Sequence, residues 1–554
     1  MPRDLLKIAG GTLYDPANGV DGEVRDLWVE RGKIVAPPSD PAERPARTIN
    51  ASGLVVMPGG VDMHCHIAGP KVNAGRILRA DDKGSSAEQV MRTALTRSGR
   101  LGSVPSTFAT GYKYAGLGYT TAMEAAAPPL LARHVHAELD DTPCLDKGCY
   151  MLVGNNHYVM RAIEQGDPRR LEAFLAWLLG RSRGYALKLV NPGGVEAWKH
   201  APSGNVDGLD DAVPGFGVTP RQILRQVTEA ANRLALPHPV HIHCNQLGIP
   251  GNWRTTLDTM QGLDGLRAHL THIQFHSYGG TDADERSMRS RTAPLAEWVN
   301  AHPLLTVDVG QVMFGATTSM TADGPLGYFL HKVTGAKWVS SDCEAEAGCG
   351  VSPLVYKNKN LIHALQWAIG LEWYLLVDNP WQVAMSTDHP NGGSFLAYPE
   401  LIRLLMDRSY RNDVLATCPP AVRERTVLAD LKREYTLGEI AIITRAGPAR
   451  MLGLAHKGQL GVGADADVTI YTPHENLAVM FQLPRVVIKG GAVVAEEGEM
   501  RSVPQGSTLS VTRGYDDAPL ADLPEFFERH YSIDVSQYGF GPADNPTTPV
   551  EPAT

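Results

Sequence analysis

Strand-like apolar runs alternate with amphipathic helical patterns through the middle of the chain. Helical spacing of apolar residues is clear in "RRLEAFLAWLLGRSR", "RQILRQVTEAANRLAL" and "RSRTAPLAEWVNAH". The strand-like runs are "LVVMPGGVDMHCH", "GYTTAMEAAAPP", "GCYMLVGNNHY", "GYALKLVNPGG", "HPVHIHCNQLG", "HLTHIQFHSYGG", "PLLTVDVGQVMFG" and "QVAMSTDHPNGG". This alternation predicts a parallel α/β core, and eight such strands predict an α/β fold of the (β/α)₈ barrel type.

Both ends of the chain have a different texture, in which short alternating strands are separated by glycine turns. "LLKIAGGTLYD" and "DLWVERGKIVAP" near the start match "GQLGVGADADVTIYTP" and "RVVIKGGAVVAEEG" near the end. We therefore predict one small β domain built from residues 1–55 and 456–515, a barrel over 56–455, and a C-terminal extension over 516–554 that ends in a Pro-rich tail.

Composition and charge narrow the class of protein. The hydrophobic content of 43% and charged content of 20% are typical of a globular protein, and the net charge of −9 argues against nucleic acid as a partner. The N-terminus lacks the apolar core of a signal peptide, and the apolar segment "ALQWAIGLEWYLLV" is short and interrupted by Glu372. We expect a cytoplasmic protein without a membrane partner. Seven cysteines without a CxxC pair do not indicate a disulfide framework.

Two histidines close the first predicted strand. His64 and His66 in "GGVDMHCHIAG" are separated by one residue, so on an extended chain both side chains point to the same face and can bind one metal ion. The spacing alone is weak evidence, because it recurs at His241/His243 and in the helical pattern around His134/His136, where a helix surface is the better interpretation.

Further ligand-type residues fall at the ends of later strands. Lys188 closes the fourth strand, His243 the fifth and His272 the sixth, and Asp388 follows the eighth. In a (β/α)₈ barrel these strand ends meet at one face. Together with the first two histidines, the set has the chemical logic of a binuclear metal site, which imidazoles and a bridging anion can build.

Lysine and aspartate have defined roles in such a site. If burial lowers the pKa of Lys188, its neutral amine can react with carbon dioxide to form a carbamate whose two oxygens bridge both metals. Asp388 can accept a proton from water and pass it to a leaving nitrogen. His241 shares the face of His243 and could be the ligand in its place, and His276 is in the same way an alternative to His272.

Several strings resemble a known family. "PGGVDMHCH", the lysine strand, the two single-histidine strands, the late aspartate and "GADADVTIY" resemble the amidohydrolase superfamily. More specifically, "HIAGPKVNAGR", "STFATGYKYAGLGYTTAMEAA", "GNNHYVM", "KLVNPGG", "THIQFHSYGG", "DVGQVMFG" and "STDHPNGGSF" resemble the A-type subunit of formylmethanofuran dehydrogenases, over nearly the whole chain. The bacterial form of this subunit belongs to a formyltransferase/hydrolase complex of one-carbon metabolism.

The resemblance implies a site, a substrate and partners. It implies two Zn²⁺ held by His64, His66, carboxylated Lys188, His243 and His272, with Asp388 catalytic. It also implies hydrolysis of an N-formyl amine, formylmethanofuran or an analogue, to formate and the free amine, inside a complex with other subunits. Richness in Ala, Arg, Gly and Pro favours the bacterial complex.

Two groups of residues are candidates for substrate binding. Lys71, Arg76 and Arg79 follow the first strand, where they can steer a carrier with an anionic tail; the alternative is an ordinary solvated surface. Asn155, Asn156 and His157 close the third strand, where they can orient the formyl oxygen or only cap a turn.

Other functions stay open at this point. The chain can be the A-type subunit of an archaeal-type dehydrogenase working in the formate-condensing direction, or a cyclic-amide hydrolase such as a dihydroorotase or hydantoinase. It can also be a scaffold that kept the barrel but lost catalysis, although a scaffold has no need of all six candidate ligand and catalytic residues.

Overall fold

The computed structural model describes residues 5–40, 43–79, 89–200, 204–281, 284–341, 349–541 and 547–550. Its centre is an eight-stranded sheet with strands in chain order. The strands are β1 (Gly60–Cys65), β2 (Tyr119–Ala127), β3 (Asp146–Leu152), β4 (Ala186–Val190), β5 (Val240–His243), β6 (Ala268–Leu270), β7 (Leu305–Asp308) and β8 (Val383–Ala384).

The sheet closes into a barrel. Neighbouring strands pair in parallel from β1 to β8. A parallel bridge joins Cys65 to His389 just beyond β8, and the His66 amide donates to the His389 carbonyl at 2.6 Å. All eight predicted strands are present, and the predicted α/β barrel is confirmed.

Helices surround the barrel and cover its strands. They are α1 (Pro70–Leu78), α2 (Thr107–Gly116), α3 (Ala132–Asp140), α4 (His157–Glu164), α5 (Pro168–Ser182), α6 (Gly194–His200), α7 (Pro220–Arg233), α8 (Trp253–Gly262), α9 (Thr292–Ala301), α10 (Gly324–Thr334), α11 (Leu361–Leu376), α12 (Tyr398–Met406), α13 (Arg408–Ala416), α14 (Ala421–Arg425), α15 (Leu437–Ala441), α16 (Gly447–Leu452), α17 (Leu477–Gln482) and α18 (Leu523–His530). Local sequence sets their starts: Asp167 caps α5 ahead of Pro168, and Thr219 forms a capping box with Gln222 at α7.

Both chain ends build one nine-stranded sheet, as predicted. Val468–Tyr471 pairs antiparallel with Val55–Pro58, which places a C-terminal strand beside the strand that leads into β1. The other members are Leu5–Asp15, Val20–Glu30, Lys33–Val35, Arg47–Asn50, Val486–Lys489, Ala492–Glu496 and Glu499–Met500. The start of the barrel is thus held by the end of the chain.

An insertion between β7 and β8 was not foreseen from the sequence. Gly315–Thr321, Cys349–Tyr356 and Val339–Ser341 form a three-stranded antiparallel sheet, and α10 lies between its first two strands in the chain. The remaining short pairs are Gln89–Val90 with Gly99–Arg100, Tyr278–Thr281 with Asp284–Ser290, and Leu509–Ser510 with Thr548–Pro549. Within the described ranges, no helix has both the length and the apolar character needed to cross a membrane.

Candidate metal centre

The six residues predicted to bind metal or act in catalysis converge at the carboxyl ends of the barrel strands. One carboxylate oxygen of Asp388 lies 2.9 Å from His64 Nε2 and 3.1 Å from His66 Nε2. The ring centres of His243 and His272 are 4.7 Å apart, and those of His64 and His272 are 5.3 Å apart. A cavity of about 550 Å³ opens onto this group and is lined by His66, Lys188, His243, His272 and Asp388.

The backbone is strained where it presents two of these residues. His272 has φ +35° and Asp388 has φ +51°, both in the left-handed region that non-glycine residues seldom adopt. Gly310 makes room for this geometry, because a Cβ at that position would lie 2.3 Å from His272 Cβ. Strain of this kind is concentrated at functional sites, where the surrounding structure holds it in place.

Lys188 is the most unusual member of the group. Its side chain is 1% exposed, and within the described residues its ammonium nitrogen has no hydrogen-bond partner. Burial lowers the pKa of Lys188 to about 7, although the carboxylates of Asp308 and Asp388 act in the opposite direction. The neutral amine is therefore accessible near neutral pH.

The imidazoles of His243 and His272 are in the form that metals require. His243 Nε2 and His272 Nδ1 are buried, and among the described residues neither has a hydrogen-bond partner. Burial lowers the pKa of both rings, so they are neutral. Burial alone would raise the pKa of Asp388, but His64 and His272 hold it well below its usual range, so it is ionised. Neutral imidazoles, an accessible amine and a carboxylate fit a metal centre.

Glu124 is a part of the site that sequence analysis missed. Its Oε1 lies 3.1 Å from His66 Nδ1, and its Oε2 accepts from the amides of Ile67 at 2.7 Å and Ala68 at 3.0 Å. A carboxylate in this position orients an imidazole toward a metal on its other nitrogen. The signal was available, since Glu124 interrupts the small and apolar run "TTAMEAAA" of the second strand.

Two further carboxylates contact the candidate ligands. Asp308, the last residue of β7, has Oδ2 at 3.5 Å from His64 Nδ1. Asp323 caps the N-terminus of α10, and its Oδ2 lies 3.3 Å from His243 Nε2. Asp308 could have been found at the end of the seventh strand, but nothing in the sequence around Asp323 indicates proximity to the site.

The structure favours His243 over His241 as a ligand and leaves His276 open beside His272. His243 lines the cavity, whereas His241 lies below it with Nε2 at 2.9 Å from His64 Nδ1. The ring of His276 is 5.4 Å from those of both His243 and His272, so it stays an alternative ligand. His136 lies on α3 as expected for a helical pattern, but it is buried rather than on the surface.

The three cations predicted to steer the substrate tail have partners inside the protein. Lys71 is 5% exposed, and its ammonium lies 3.0 Å from Glu124 Oε1. Arg76 pairs with Glu138 at 2.9 Å, and Arg79 is buried and donates to the Thr317 carbonyl at 3.2 Å. These contacts give all three a structural role and do not favour steering, which stays a prediction.

The polar residues after the third strand also have structural partners. Asn155 donates to the Val190 carbonyl at 2.9 Å, and Asn156 caps α4 by accepting from the Val159 amide at 3.0 Å. His157 Nε2 lies 3.0 Å from Glu196 Oε2. The capping alternative therefore describes Asn156, and contact of these residues with the formyl group stays a prediction.

Comparisons with known proteins agree with this geometry. A family model described as "Amidohydrolase family" matches residues 47–495. Protein FwdA of Methanocaldococcus jannaschii is 45% identical, covering 96% of this chain and 96% of its own length. The A-type subunit of the formyltransferase/hydrolase complex Fhc of Methylorubrum extorquens is 40% identical, covering 92% and 91%.

A solved structure extends the match to three dimensions. A chain in the crystal structure of the formyltransferase/hydrolase complex FhcABCD from Methylorubrum extorquens, determined with methylofuran, superposes with a TM-score of 0.89. It is 37% identical, with 97% of this chain and 96% of that chain covered. The resemblance inferred from the sequence is confirmed: this chain belongs to the amidohydrolase family and is a close relative of protein FwdA and of the A-type subunit of Fhc.

Proposed function

We propose that this protein hydrolyses an N-formyl amine, formylmethanofuran or an analogous formyl carrier, to formate and the free amine. The observation that carries the proposal is Lys188, a buried amine without a hydrogen-bond partner in the described structure, which lines the same cavity as the neutral imidazoles of His243 and His272 and the ionised Asp388. The relatives FwdA and the A-type subunit of Fhc support the choice of substrate. We place the protein in the cytoplasm, as the catalytic subunit of a formyltransferase/hydrolase complex.

The donor set fits two zinc ions. His64, His66, His243 and His272 would supply imidazole nitrogens, and Lys188, carboxylated on its neutral amine, would supply two oxygen ligands. When bound, the ions supply Lewis acidity that polarises the formyl carbonyl and makes water a better nucleophile near neutral pH.

Asp388 moves the proton in this proposal. Its carboxylate is ionised and lies between His64 and His66, and the Asn391 side-chain amide donates to its Oδ1 at 2.9 Å. It accepts the proton of the attacking water as the carbon–oxygen bond forms. It then gives that proton to the nitrogen as the carbon–nitrogen bond breaks, so the amine leaves neutral and the formyl group leaves as formic acid, which releases the second proton of the water to solvent and becomes formate.

The cavity offers an apolar surface to the rest of the substrate. Its outer wall is formed by side chains from α10 and the inserted sheet, among them Leu326, Phe329, Leu330, Pro353 and Val355. An aromatic carrier would bury apolar area here and exclude water from the reacting carbonyl. We infer that this wall binds the ring of the carrier while the formyl group faces Asp388.

The proposal is tested by measuring zinc content and formate release from formylmethanofuran together. Lys188→Met keeps the volume of the side chain but removes the amine, so both quantities should fall to near zero. Lys147→Met is the matched control, because Lys147 is also buried but donates to the carbonyls of Thr142 at 3.0 Å and Gln505 at 2.7 Å, away from the site.

The other candidate functions give different results in the same experiment. Zinc-loaded protein that cleaves a cyclic amide but not formylmethanofuran would indicate a dihydroorotase-like or hydantoinase-like enzyme. Folded wild-type protein with little zinc and no activity would indicate a scaffold. Net formation of the formyl amine from formate, in the presence of partner subunits, would indicate the formate-condensing direction.

A further inference from the structure

Three buried histidines form a hydrogen-bonded chain beneath the candidate metal centre. His64 Nδ1 lies 2.9 Å from His241 Nε2, and His241 Nδ1 lies 2.9 Å from His238 Nε2. The chain ends where His238 Nδ1 lies 2.8 Å from the carbonyl oxygen of Met451, at the last turn of α16. All three rings are fully buried, so bulk water does not reach these nitrogens.

The carbonyl at the end sets the direction of every bond in the chain. A carbonyl oxygen only accepts, so His238 must carry its proton on Nδ1. The Nε2 of a neutral His238 is then an acceptor, and His241 must donate from its own Nδ1. By the same step His241 Nε2 accepts from His64 Nδ1, which leaves the lone pair of His64 on Nε2, the nitrogen that faces Asp388 and His66.

We propose that His241 and His238 are positioning residues that fix His64 in the tautomer able to bind metal through Nε2. The inference deepens the proposed function, since it concerns how the chain prepares one ligand of that site. Neither residue touches the substrate or the metal. Their effect passes from the Met451 carbonyl through two imidazoles to the ligand.

The surroundings of the histidine chain are compatible with this direction. Asp308 Oδ2 lies 3.5 Å from His64 Nδ1 and 3.7 Å from His241 Nε2, and it accepts from His269 Nε2 at 3.0 Å. This carboxylate stabilises a proton between the two rings without deciding which of them carries it, so the direction rests on the Met451 carbonyl. The hydroxyl of Thr271 also contacts His64 Nδ1 and can accept from it.

The neutral state that the argument needs at His238 is consistent with burial. His238 stands in a fully buried setting that lowers the pKa of its ring well below the usual value. Tyr150 stacks on it with ring centres 5.5 Å apart, so an aromatic replacement keeps the packing. The hydrogen bonds of the chain can therefore be removed with little change in shape.

The effect of the histidine chain on the candidate metal centre is tested by the zinc affinity of the full-length protein, measured against a competing chelator. His238→Phe removes the acceptor for His241 Nδ1. His241 should then carry its proton on Nε2 and donate it to Nδ1 of His64. Affinity at the site should then fall by about tenfold. His238→Gln keeps an acceptor oxygen and should restore most of it. His136→Phe, which replaces a buried histidine bonded to the Ser182 carbonyl elsewhere, should have no effect.

Wild-type affinity in a folded His238→Phe protein would overturn the proposal, and so would an equal loss in the Phe and Gln variants. Circular dichroism and thermal melting establish that the variants fold.

Neutron diffraction from metal-free wild-type crystals gives a second readout that needs no variant and no zinc. We expect hydrogen on Nδ1 of His64, His241 and His238. Hydrogen on Nε2 of His241 or His238 would contradict the inference. In separate zinc-loaded crystals, a metal ion held between His64, His241 and Asp308, whose ligand atoms are close enough to hold one, would contradict it as well. If wild-type protein binds no zinc, the proposed function fails, while the neutron result still decides on the chain.

Discussion

Glu372 is a buried acid far from the proposed chemistry, and it makes stability depend on pH. It lies on α11, where its two oxygens accept from the Ser290 hydroxyl and from the Val427 amide at 2.5 Å. Burial raises the pKa of Glu372 to about 7, and these hydrogen bonds only partly oppose the rise. The folded protein therefore binds this proton more tightly than the unfolded chain, whose glutamate has an ordinary pKa near 4.5.

We expect Glu372→Gln to stabilise the protein in alkaline but not in acid solution. Because the folded pKa is raised, wild-type stability should fall as pH rises from about 4.5 to about 7 and stay low above that range. The neutral amide removes this loss, which is at most on the order of 3 kcal/mol. Melting temperatures at pH 5 and pH 8 check the prediction: the variant should match wild type at pH 5 and exceed it at pH 8.

The matched control for this pH dependence is Glu525→Gln, because Glu525 is exposed and should show no such difference. A melting-temperature gain for Glu372→Gln that is equal at both pH values would contradict the role of the buried charge.

For single residues, the sequence identifies the candidate ligands more readily than the residues that contact and orient them. His64, Lys188 and Asp388 could be found because reactive side chains at strand ends converge in any parallel barrel. Glu124 and Asp308 stand out as acids in apolar strands, but they act through contacts between strands, and the sequence does not indicate which residues they contact. Lys71 shows the opposite error, because a cation on a connection looks solvent-exposed in the sequence although its partner Glu124 lies 53 residues later.

At the level of strands and helices, the barrel was predictable and the insertion was not. Barrel strands are buried on both faces, so they read as apolar runs whose order in the chain is also their order in the sheet. The inserted strand Cys349–Tyr356 contains Pro353. In its sheet it pairs with Gly315–Thr321 on one side and Val339–Ser341 on the other. α10 has apolar residues that line the cavity, a fact that only the folded structure reveals.

A buried ionic cluster joins the barrel to the terminal sheet. Lys489 Nζ lies 2.6 Å from Asp146 at the start of β3 and 3.0 Å from Asp467. Lys457 Nζ contacts Asp146 and lies 2.8 Å from Asp467. Burial would raise the pKa of Asp467, but Lys489 and Lys457 hold it well below its usual range, so this carboxylate is ionised.

We expect Asp467→Asn to weaken this junction strongly. The change removes a carboxylate that both buried ammonium groups contact and leaves Lys489 with Asp146 alone, which Lys457 shares although it also pairs with Asp465 at 2.7 Å. Breaking a buried pair in this way costs up to about 3–5 kcal/mol of unfolding free energy. Chemical denaturation of the variant should therefore show a much lower midpoint. Glu229→Gln removes the surface pair with Arg225 and should cost less than about 1 kcal/mol. Equal midpoints for the two variants would show that the cluster does not hold the two parts together.

For the whole molecule, the pairing of the two chain ends was predictable because both show the same alternation of short strands and glycine turns. The sheet order places Val468–Tyr471 between Val55–Pro58 and Val486–Lys489, so neither end completes the sheet alone. The docking of the C-terminal extension could not be predicted. Its Tyr538 stacks on Trp177 of α5 with ring centres 5.5 Å apart, a contact across more than half of the chain.

These long-range contacts predict that the protein survives a cut in its backbone. An exposed turn at residues 472–475 separates Val468–Tyr471 from α17, and a protease site inserted there would split the chain into two fragments. The C-terminal fragment keeps its strand pairing with Val468–Tyr471 and its ion pair between Lys489 and Asp146. The Tyr538 carbonyl also still accepts from the Arg181 guanidinium at 2.9 Å. We expect the fragments to elute together in size-exclusion chromatography, with unchanged zinc binding, and to separate only in denaturant.

The uncut protein that carries the same insertion is the control for this cleavage experiment. Dissociation in native buffer would mean that covalent continuity, rather than packing between the two ends, holds the terminal sheet to the barrel. Co-elution would instead show that noncovalent contacts are enough to hold the C-terminal fragment on the terminal sheet and the barrel.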